Sequence, residues 1–457
     1  MSGSPIEELS VPGAVRWITR TLEGEGFETW AVGGAIRDAL AGRPSGDWDL
    51  ATRATPAQVR RVFRRTVPIG VDHGTMGVLA RDGTLFEVTT FRRDVETTGR
   101  HAVVEFADRL DEDLARRDFT INAVAWHPIR QVLHDPFGGS ADLERRLLRT
   151  VGSPKDRFAE DYLRILRALR FAGVFQLRIQ AETWRALAAA MHRVRALSPE
   201  RVREELEKVL EGPTPPSRVL GLYAASGLLA TLYPELERTI EARRVPEGGD
   251  WFSHELRTVD LLSPARPELR WAALLHGLGE PGPGPDDPDG IDGADTSVRA
   301  LLRSAAVLER LRASNARIDR VSQLVQWAAR PPDTGGTDAE LRRWLAAAGR
   351  ERLPAFLRIW SAAVRADEAR GGPWGREAFL RLARRLRGLV RARVPLDVAD
   401  LRFSGRDLIG MGYRPGPVFG EVLRALLEEV LDDPERNDPH YLRERASQWL
   451  EERKSDV

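Results

Sequence analysis

The stretch Gly33-Gly34-Ala35-Ile36-Arg37-Asp38, followed after a short turn by Asp47-Trp48-Asp49, constrains this chain more than any other. Two carboxylates at i and i+2 leave an extended strand on the same side. That spacing lets them share a pair of divalent cations. The paired glycines carry no side chain, so backbone there can approach a triphosphate closely. Arg37 can open the following helix and face the same anion. Together these features describe a metal-dependent nucleotidyl-transfer site. Either half alone also fits something plainer: a glycine turn before an ordinary helix, and two aspartates in a surface loop.

The first 140 or so residues mix helix and strand signals. Val11–Thr21 has the spacing of an amphipathic helix. Glu28–Val32 and Trp48–Ala51 read as short strands. Pro56–Arg65 reads as a helix, capped by Thr55 and opened by Pro56. Gly77–Ala80 and Thr84–Phe91 alternate around Asp82-Gly83, a strong hairpin signal. This density fits an α+β domain, a small mixed sheet with helices on one face. From Asp142 onward the pattern is almost wholly helical, over Asp156–Ala172, Ala181–Val194, Ser198–Glu211 and Pro216–Leu229. It resumes over Ala339–Ala348, Leu353–Arg370, Arg376–Arg393 and Val418–Leu431. Glu280–Ser297, rich in Pro, Gly and Asp, is expected to be a mobile loop, and Pro331–Thr337 is a second break. The expected plan is a catalytic head over 1–141, a helical neck over 142–212, a body over 213–330 and a tail over 331–457.

Composition narrows the function classes. No apolar run is long enough for a membrane span. The opening Met1-Ser2-Gly3-Ser4-Pro5-Ile6 is unlike a signal peptide. The absence of cysteine excludes disulfides and thiolate zinc sites, and a cytoplasmic location is the default expectation. A net charge of +1 argues against a protein that coats nucleic acid all over. Any RNA contact must be a local stripe. All but three of the 69 basic residues are arginine. Arginine offers planar bidentate donors to phosphates and base edges, although codon bias in a GC-rich genome explains most of that excess.

Three further constellations carry chemistry. Glu87, on Leu85-Phe86-Glu87-Val88-Thr89, can face the side of Asp47 and Asp49 from a neighbouring strand and complete a two-metal clamp; it can equally be a solvent-facing strand residue. In Arg116-Arg117-Asp118-Phe119-Thr120-Ile121-Asn122, one arginine can neutralise triphosphate charge while Asp118 and Asn122 hold the backbone, or Asp118 can simply cap a helix. In Glu160-Asp161-Tyr162-Leu163-Arg164-Ile165-Leu166-Arg167-Ala168-Leu169-Arg170, the residues Asp161, Arg164, Arg167 and Arg170 recur every three positions on what reads as one helix. Over that distance the helix rises about 13 Å, enough to run from a base to the end of its triphosphate. An Asp and an Arg side by side offer an acceptor and donors to a Watson–Crick edge. The plainer alternative is a solvated charged face with an i, i+3 ion pair.

These motifs, in this order, resemble those of the class II tRNA nucleotidyltransferases, the CCA-adding enzymes of the polymerase β superfamily. His73-Gly74-Thr75-Met76-Gly77-Val78, Asp135-Pro136-Phe137-Gly138-Gly139 and Ser198-Pro199-Glu200-Arg201-Val202-Arg203-Glu204-Glu205 add to the resemblance. So does Ser404-Gly405-Arg406-Asp407-Leu408-Ile409, with Gly412 and Pro415-Gly416-Pro417. The resemblance implies template-independent addition of C and A from CTP and ATP to the tRNA 3′ end, with pyrophosphate released. Asp47 and Asp49 would bind Mg2+, assisted by Glu87. Gly33, Gly34, Arg37 and Arg117 would hold the triphosphate and sugar. Asp161 and Arg164 would act as a protein template, with Arg167 and Arg170 completing the nucleotide pocket. The later helices would grip the tRNA acceptor–TΨC arm. No membrane or protein partner is implied.

The sequence departs from the family in two places. Its HD-like stretch reads His254, then Leu274-Leu275-His276-Gly277-Leu278-Gly279-Glu280. Gly277 stands where a metal-ligating aspartate would be needed, so a scaffold without hydrolase activity is expected, with His254 and His276 as packing residues. Arg93–Asp113 is the expected flexible loop, in a variant form. Its presence favours enzymes that can add A. The alternatives are an A-adding or CC-adding relative, a poly(A) polymerase, or a non-catalytic RNA-binding protein on the same scaffold. Pro68-Ile69-Gly70-Val71-Asp72-His73-Gly74-Thr75 replaces the Gly-Arg-Arg-Phe-like stretch of poly(A) polymerases, and intact Asp47, Asp49 and Arg117 count against a non-catalytic role.

Overall fold

The computed structural model describes residues 9–44, 46–98, 101–242, 244, 249–280, 295–367 and 375–455. The chain divides into two compact units. One comprises 1–209 with 218–232, and the other 210–217 with 233–457.

The first unit is built on a mixed sheet. Its strands are β1 (Thr29–Val32), β2 (Asp49–Thr52), β3 (Thr66–Gly70), β4 (Thr75–Leu79) and β5 (Leu85–Thr90). After the hairpin β6 (Arg92–Thr98) and β7 (His101–Phe106) come β8 (Ala125–His127) and β9 (Val132–His134). The spatial order is β3-β4-β5-β2-β1-β8-β9. Only β2 and β5 run parallel, with Leu50 opposite Val88. The other neighbours are antiparallel. Side chains alternate between two cores as a pleated sheet requires. Leu50, Met76, Val78, Val88 and Trp126 pack with Val15, Ile18, Ile36 and Val59 from helices α1 (Gly13–Gly24), α2 (Gly34–Leu40) and α3 (Pro56–Val62). On the other face Trp30, Val32, Ala51 and Ala125 meet Leu110 and Leu114 of α4 (Leu110–Ala115). Thr55 and Gln58 form a reciprocal capping box at α3, the start expected from the sequence.

Two expectations for this unit are corrected. Arg93–Asp113 is not an open loop: it holds most of the β6–β7 hairpin, with Arg93 opposite Glu105, and then α4. Asp156–Ala172 is not one helix. It is α5 (Gly139–Glu144) that precedes this region, which itself splits into α6 (Pro154–Glu160) and α7 (Leu163–Phe175). Asp161 stands at the break with φ −153° and ψ 109°, and its Oδ1 accepts the Leu163 N–H at 3.0 Å. An aspartate that satisfies a nearby backbone donor competes with helix continuation. Beyond α8 (Ala181–Ala190), α9 (Pro199–Leu210) packs its acidic and basic side chains toward α7.

The second unit is helical. Pro331–Thr337 separates helices Asn315–Ala328 and Asp338–Ala348, as its composition predicts. Most of the Glu280–Ser297 expectation falls outside the described residues, and the next helix begins at Thr296. Trp327, Trp344, Phe356 and Trp360 form one aromatic cluster, with centroids 5.3–5.9 Å apart. Leu408, Val422, Leu426, Leu442 and Ala446 form the core of the last helices. Among the described residues, no helix is long and apolar enough to cross a membrane.

The HD-like stretch lies inside this unit as a buried polar network. Arg244 donates to both Asp367 oxygens at 2.7 and 2.9 Å, and His254 Nδ1 donates to Asp367 at 2.9 Å. His276 Nδ1 donates to the Ala273 carbonyl at 2.6 Å. Gly277 N–H donates to Glu255 at 3.0 Å. A Cβ at position 277 would lie 2.7 Å from Glu255 Oε1 and 3.0 Å from the Trp251 ring. There is no room for an aspartate there. Among the described residues no group of three potential ligands is arranged to hold a metal ion.

Burial lowers the His276 pKa to about 3, with His254 adding to the effect. Burial also lowers His254, and more strongly than Asp367 raises it. Both imidazoles are therefore neutral in the folded state near pH 7. The unfolded chain takes up protons below the ordinary histidine value of about 6.5, where the folded one does not, so stability falls as pH falls. Acidification from pH 7 to pH 5 is expected to cost this unit about 2 kcal/mol through His276 alone. Thermal unfolding at the two pH values checks it. An unchanged midpoint of the C-terminal unit, or equal acid sensitivity in His276→Phe, would contradict this account.

Candidate active site

Trp48 anchors the site. Its ring is buried in the helix-side core, which turns its neighbours Asp47 and Asp49 to the opposite face of the strand. Asp47 is exposed just before β2, and Asp49 is half-buried at its first position. Gly77 pairs with Glu87, and Leu50 with Val88. This register sets Glu87 beside Asp49 on the same face, the arrangement anticipated from alternation. The three carboxylates feel one another. Asp49 is raised to about 6, first by burial and then by Glu87 and Asp47, with Arg117 opposing.

Gly33 separates Asp49 from Arg117. It has φ 81° and ψ −138°, and a Cβ there would meet Arg117 Nη1 at 3.3 Å and Asp49 Oδ2 at 3.5 Å. Only glycine provides both the conformation and the room. Gly34 begins α2, and no side chain caps that helix start. Arg117 Nη2 donates to Asp113 at 3.1 Å and Nη1 to the Asn122 carbonyl at 3.3 Å. Its Nε is buried without a partner. A buried donor without an acceptor is costly, while Nη1 of the same guanidinium faces Asp49 across Gly33.

Arg37 is held more tightly than its sequence position suggests. It donates to Asp38 at 2.7 and 2.9 Å and to Asn122 Oδ1 at 2.8 Å. Its guanidinium stands 4.9 Å from the Phe171 centroid and 4.7 Å from that of Phe175. Arg170 and Arg167 face Phe171 as well, at 4.5 and 5.2 Å. With Arg43 4.3 Å from the Phe175 centroid, these two phenylalanines, one helical turn apart on α7, form a shelf under four arginines. Sequence reading missed them. Their i, i+4 spacing among arginines was the available signal, but it looks like an ordinary core stripe. Asp118 and Asn122 do hold the local backbone. Asp118 Oδ1 accepts from the Phe119 N–H and from Asn122 Nδ2 at 2.9 and 2.8 Å.

The row of Asp161, Arg164, Arg167 and Arg170 is reorganised by the break before α7. Asp161 lies ahead of the helix, and its Oδ2 accepts from Arg201 of α9 at 2.7 Å. Arg164 donates to Glu160, to the Arg157 carbonyl at 3.1 Å and to the Arg116 carbonyl at 3.3 Å. The i, i+3 ion pair between Asp161 and Arg164 is thus replaced by two separate pairs. Arg167 Nε donates to Asp118 at 2.7 Å, and Arg170 Nε to the buried Glu205 at 2.7 Å. Burial opposes ionisation of Asp118, but Arg167 and Asn122 hold its pKa below the ordinary carboxylate value. Arg167 and Arg170 are in the first place structural ties between α7 and its neighbours. Asp161 and Arg164 keep unused capacity. A carboxylate offers about four acceptor positions and a guanidinium five donors.

Among the described residues the carboxylates do not close a cage around an ion unaided. Asp47, Asp49 and Glu87 are hard oxygen donors of the kind that hold a divalent cation whose shell is completed by water and substrate phosphates. The raised Asp49 also gives a measurable expectation. Its folded pKa exceeds its unfolded one, so it destabilises the metal-free fold at pH values above about 6, and the penalty vanishes below the ordinary value. Asp49→Asn is expected to stabilise the metal-free protein by about 2 kcal/mol at pH 7.5 and by only a few tenths of a kcal/mol at pH 4. Thermal unfolding without metal tests this. No gain at pH 7.5, or an equal gain at pH 4, would contradict the charge arrangement.

Comparison with known proteins finds relatives over nearly the whole chain. Residues 29–149 match the family described as the poly A polymerase head domain, and 176–240 match the family described as the probable RNA and SrmB-binding site of polymerase A. The CCA-adding enzyme of Geobacillus thermodenitrificans is 34% identical over 441 residues, covering 95% of this chain and 96% of that protein. The crystal structure of the Bacillus stearothermophilus CCA-adding enzyme in complex with CTP superposes with a TM-score of 0.72 at 29% identity, covering all of both chains. A Thermotoga maritima CCA-adding enzyme complexed with tRNA shares the fold, with a TM-score of 0.59 at 21% identity.

Proposed function

The chain belongs to the family of CCA-adding enzymes, and from that premise we propose that it is a tRNA nucleotidyltransferase that adds C and A to the tRNA 3′ end. The observation that carries this reading is the face-to-face arrangement of Asp49, Glu87 and Asp47 with Arg117 across Gly33. It brings acceptors for a cation and donors for a triphosphate within one nucleotide's reach. In this reading, residues 1–141 are the catalytic head, 142–212 the neck, and 213–330 and 331–457 the body and tail that hold the acceptor–TΨC arm.

Asp47 and Asp49, with Glu87 assisting, would hold Mg2+. When bound, the ion favours ionisation of the attacking hydroxyl and offsets charge on the leaving group. Arg117 and Arg37 bind and orient the triphosphate, with Gly33 and Gly34 letting backbone approach it. Rigid positioning suits this role, because such transfers depend on alignment and charge neutralisation. The Phe171–Phe175 shelf and the Asn122 contact fix Arg37 in advance. The tRNA 3′-oxygen forms a bond to the α-phosphorus, the bond to the β-phosphate oxygen breaks, and pyrophosphate leaves. Asp161 and Arg164 read the base edge in place of a nucleic-acid template. The Arg201 and Glu160 contacts hold those two side chains at the mouth of α7.

Pyrophosphate release from CTP in the presence of tRNA lacking its 3′ CCA tests the reading. Release that requires both tRNA and CTP supports it. RNA binding without release would indicate the non-catalytic alternative, and release with ATP alone on any RNA end would indicate a poly(A) polymerase.

A further inference from the structure

The carboxylate row continues across the sheet into an open apolar strip. Val67 pairs with Gly77, and Gly77 with Glu87, while Asp49 follows on β2 and pairs in turn with Val32. These residues share one face. Ile69 Cδ1 and Leu85 Cδ1 each lie 2.8 Å from where a Gly77 Cβ would stand, so both side chains converge over Gly77, next to Glu87. Val67, Ile69 and Leu85 are 38%, 44% and 45% exposed. In the other direction along the same row, Val32 is 2% exposed beneath Leu110 and Leu114. On that side, Arg117 stands across Gly33 from Asp49. Along the sheet, the side of β4 and β3 presents the exposed apolar residues, and the side of β1 the buried ones.

We propose that Val67, Ile69 and Leu85 form the platform on which the terminal nucleotide of the acceptor RNA lies, its base and ribose against the aliphatic side chains, with the 3′-hydroxyl reaching the Asp49–Glu87 row. This rests on the nucleotidyl-transfer reading above. Two strand spacings, about 10 Å, separate β5 from β3, room for one to two nucleotides. The chemistry also fits. The acceptor's last nucleotide changes after each addition, so its site must tolerate any base. An apolar face accepts a base by stacking without reading its edge. Pro68 lies within this edge strand and brings no N–H to it, which limits pairing with a strand of another protein chain.

The test uses the full-length protein with Ile69→Asp and Leu85→Ser, singly and together, on tRNA ending before or within CCA. KM for tRNA is expected to rise about tenfold in the double variant, with KM for CTP within twofold of wild type and kcat retained at saturating tRNA. A tRNA whose terminal nucleotide is abasic should lose about tenfold with wild type and nothing further with the double variant. Unchanged tRNA KM would overturn the proposal, as would fully additive losses with the abasic substrate. So would a change in sedimentation of the free protein with tRNA KM unaffected, which would make the strip a contact between copies. Failure of the underlying reading shows separately, as absence of transfer by the wild-type protein.

Discussion

Asp49→Ala and Asp47→Ala are each expected to lower nucleotide transfer to tRNA by at least ~10³-fold, with tRNA binding retained. The expectation follows from geometry. Trp48 is buried behind the strand, so the two aspartates share the front face with Glu87. The charge they concentrate there has no use in the fold itself, because Asp49 makes the metal-free protein less stable at neutral pH. Glu87→Ala is expected to do less damage, since Glu87 is exposed at the edge of the group. Single-turnover transfer at saturating metal, with a filter-binding control for tRNA, checks the prediction. Turnover within tenfold of wild type in either aspartate variant would remove the two-carboxylate assignment.

Asp161→Ala is expected to alter which nucleotide is chosen far more than how tightly tRNA binds. C and A each present an exocyclic amino group to an acceptor, whereas U and G present a carbonyl there. A site built on such contacts rejects a mismatched base because its buried groups are left unpaired, at roughly 1–3 kcal/mol per lost bond. Preference for CTP and ATP over UTP and GTP should therefore fall about ten- to hundredfold. Arg164→Ala should act in the same direction, with added loss of nucleotide affinity. Arg201→Ala should give a smaller change of the same sign, because Arg201 orients the Asp161 carboxylate from α9 at 2.7 Å. Single-nucleotide addition with each triphosphate in turn measures this. Unchanged preference in the Asp161 variant would mean that the base is read elsewhere. Arg170→Ala belongs to a different class, since it leaves the buried Glu205 with Lys208 as its remaining cation at 2.8 Å. It should lower stability as well as nucleotide affinity.

Much of the head was legible because local signals agreed with one another. The Thr55–Gln58 capping box, the Asp82-Gly83 turn and the alternation from Leu85 to Thr90 each fix an element over a few residues, and the structure places those elements as read. Glu87 followed from the same alternation. The break at Asp161 was not legible. The helical spacing of Arg164, Arg167 and Arg170 extends smoothly back through it, and only the capping bond from Asp161 to Leu163 ends α6 there. The β6–β7 hairpin was hidden by charged residues between Arg92 and Phe106, although Val95, Thr97, Thr98, Val103 and Val104 favour strand. The pairs Arg167–Asp118, Arg170–Glu205 and Arg201–Asp161 span 49, 35 and 40 positions. No local pattern encodes contacts at such separations; they come from how α7 packs against its neighbours. The shelf under Arg37 was missed for the same reason. At Gly277 the sequence shows only that a ligand side chain is missing; the structure adds what fills the space, a Glu255 carboxylate and a Trp251 ring.

In the proposed mechanism, protein side chains alone select C and A, with no nucleic-acid template. The most direct measurement supplies purified protein with CTP, ATP, Mg2+ and three tRNA substrates, ending before CCA, after C and after CC, and sequences every product. All three should be extended to the same CCA end and no further, without any nucleic-acid template. Extension of none of them, or an unlimited run of A on each, would contradict it.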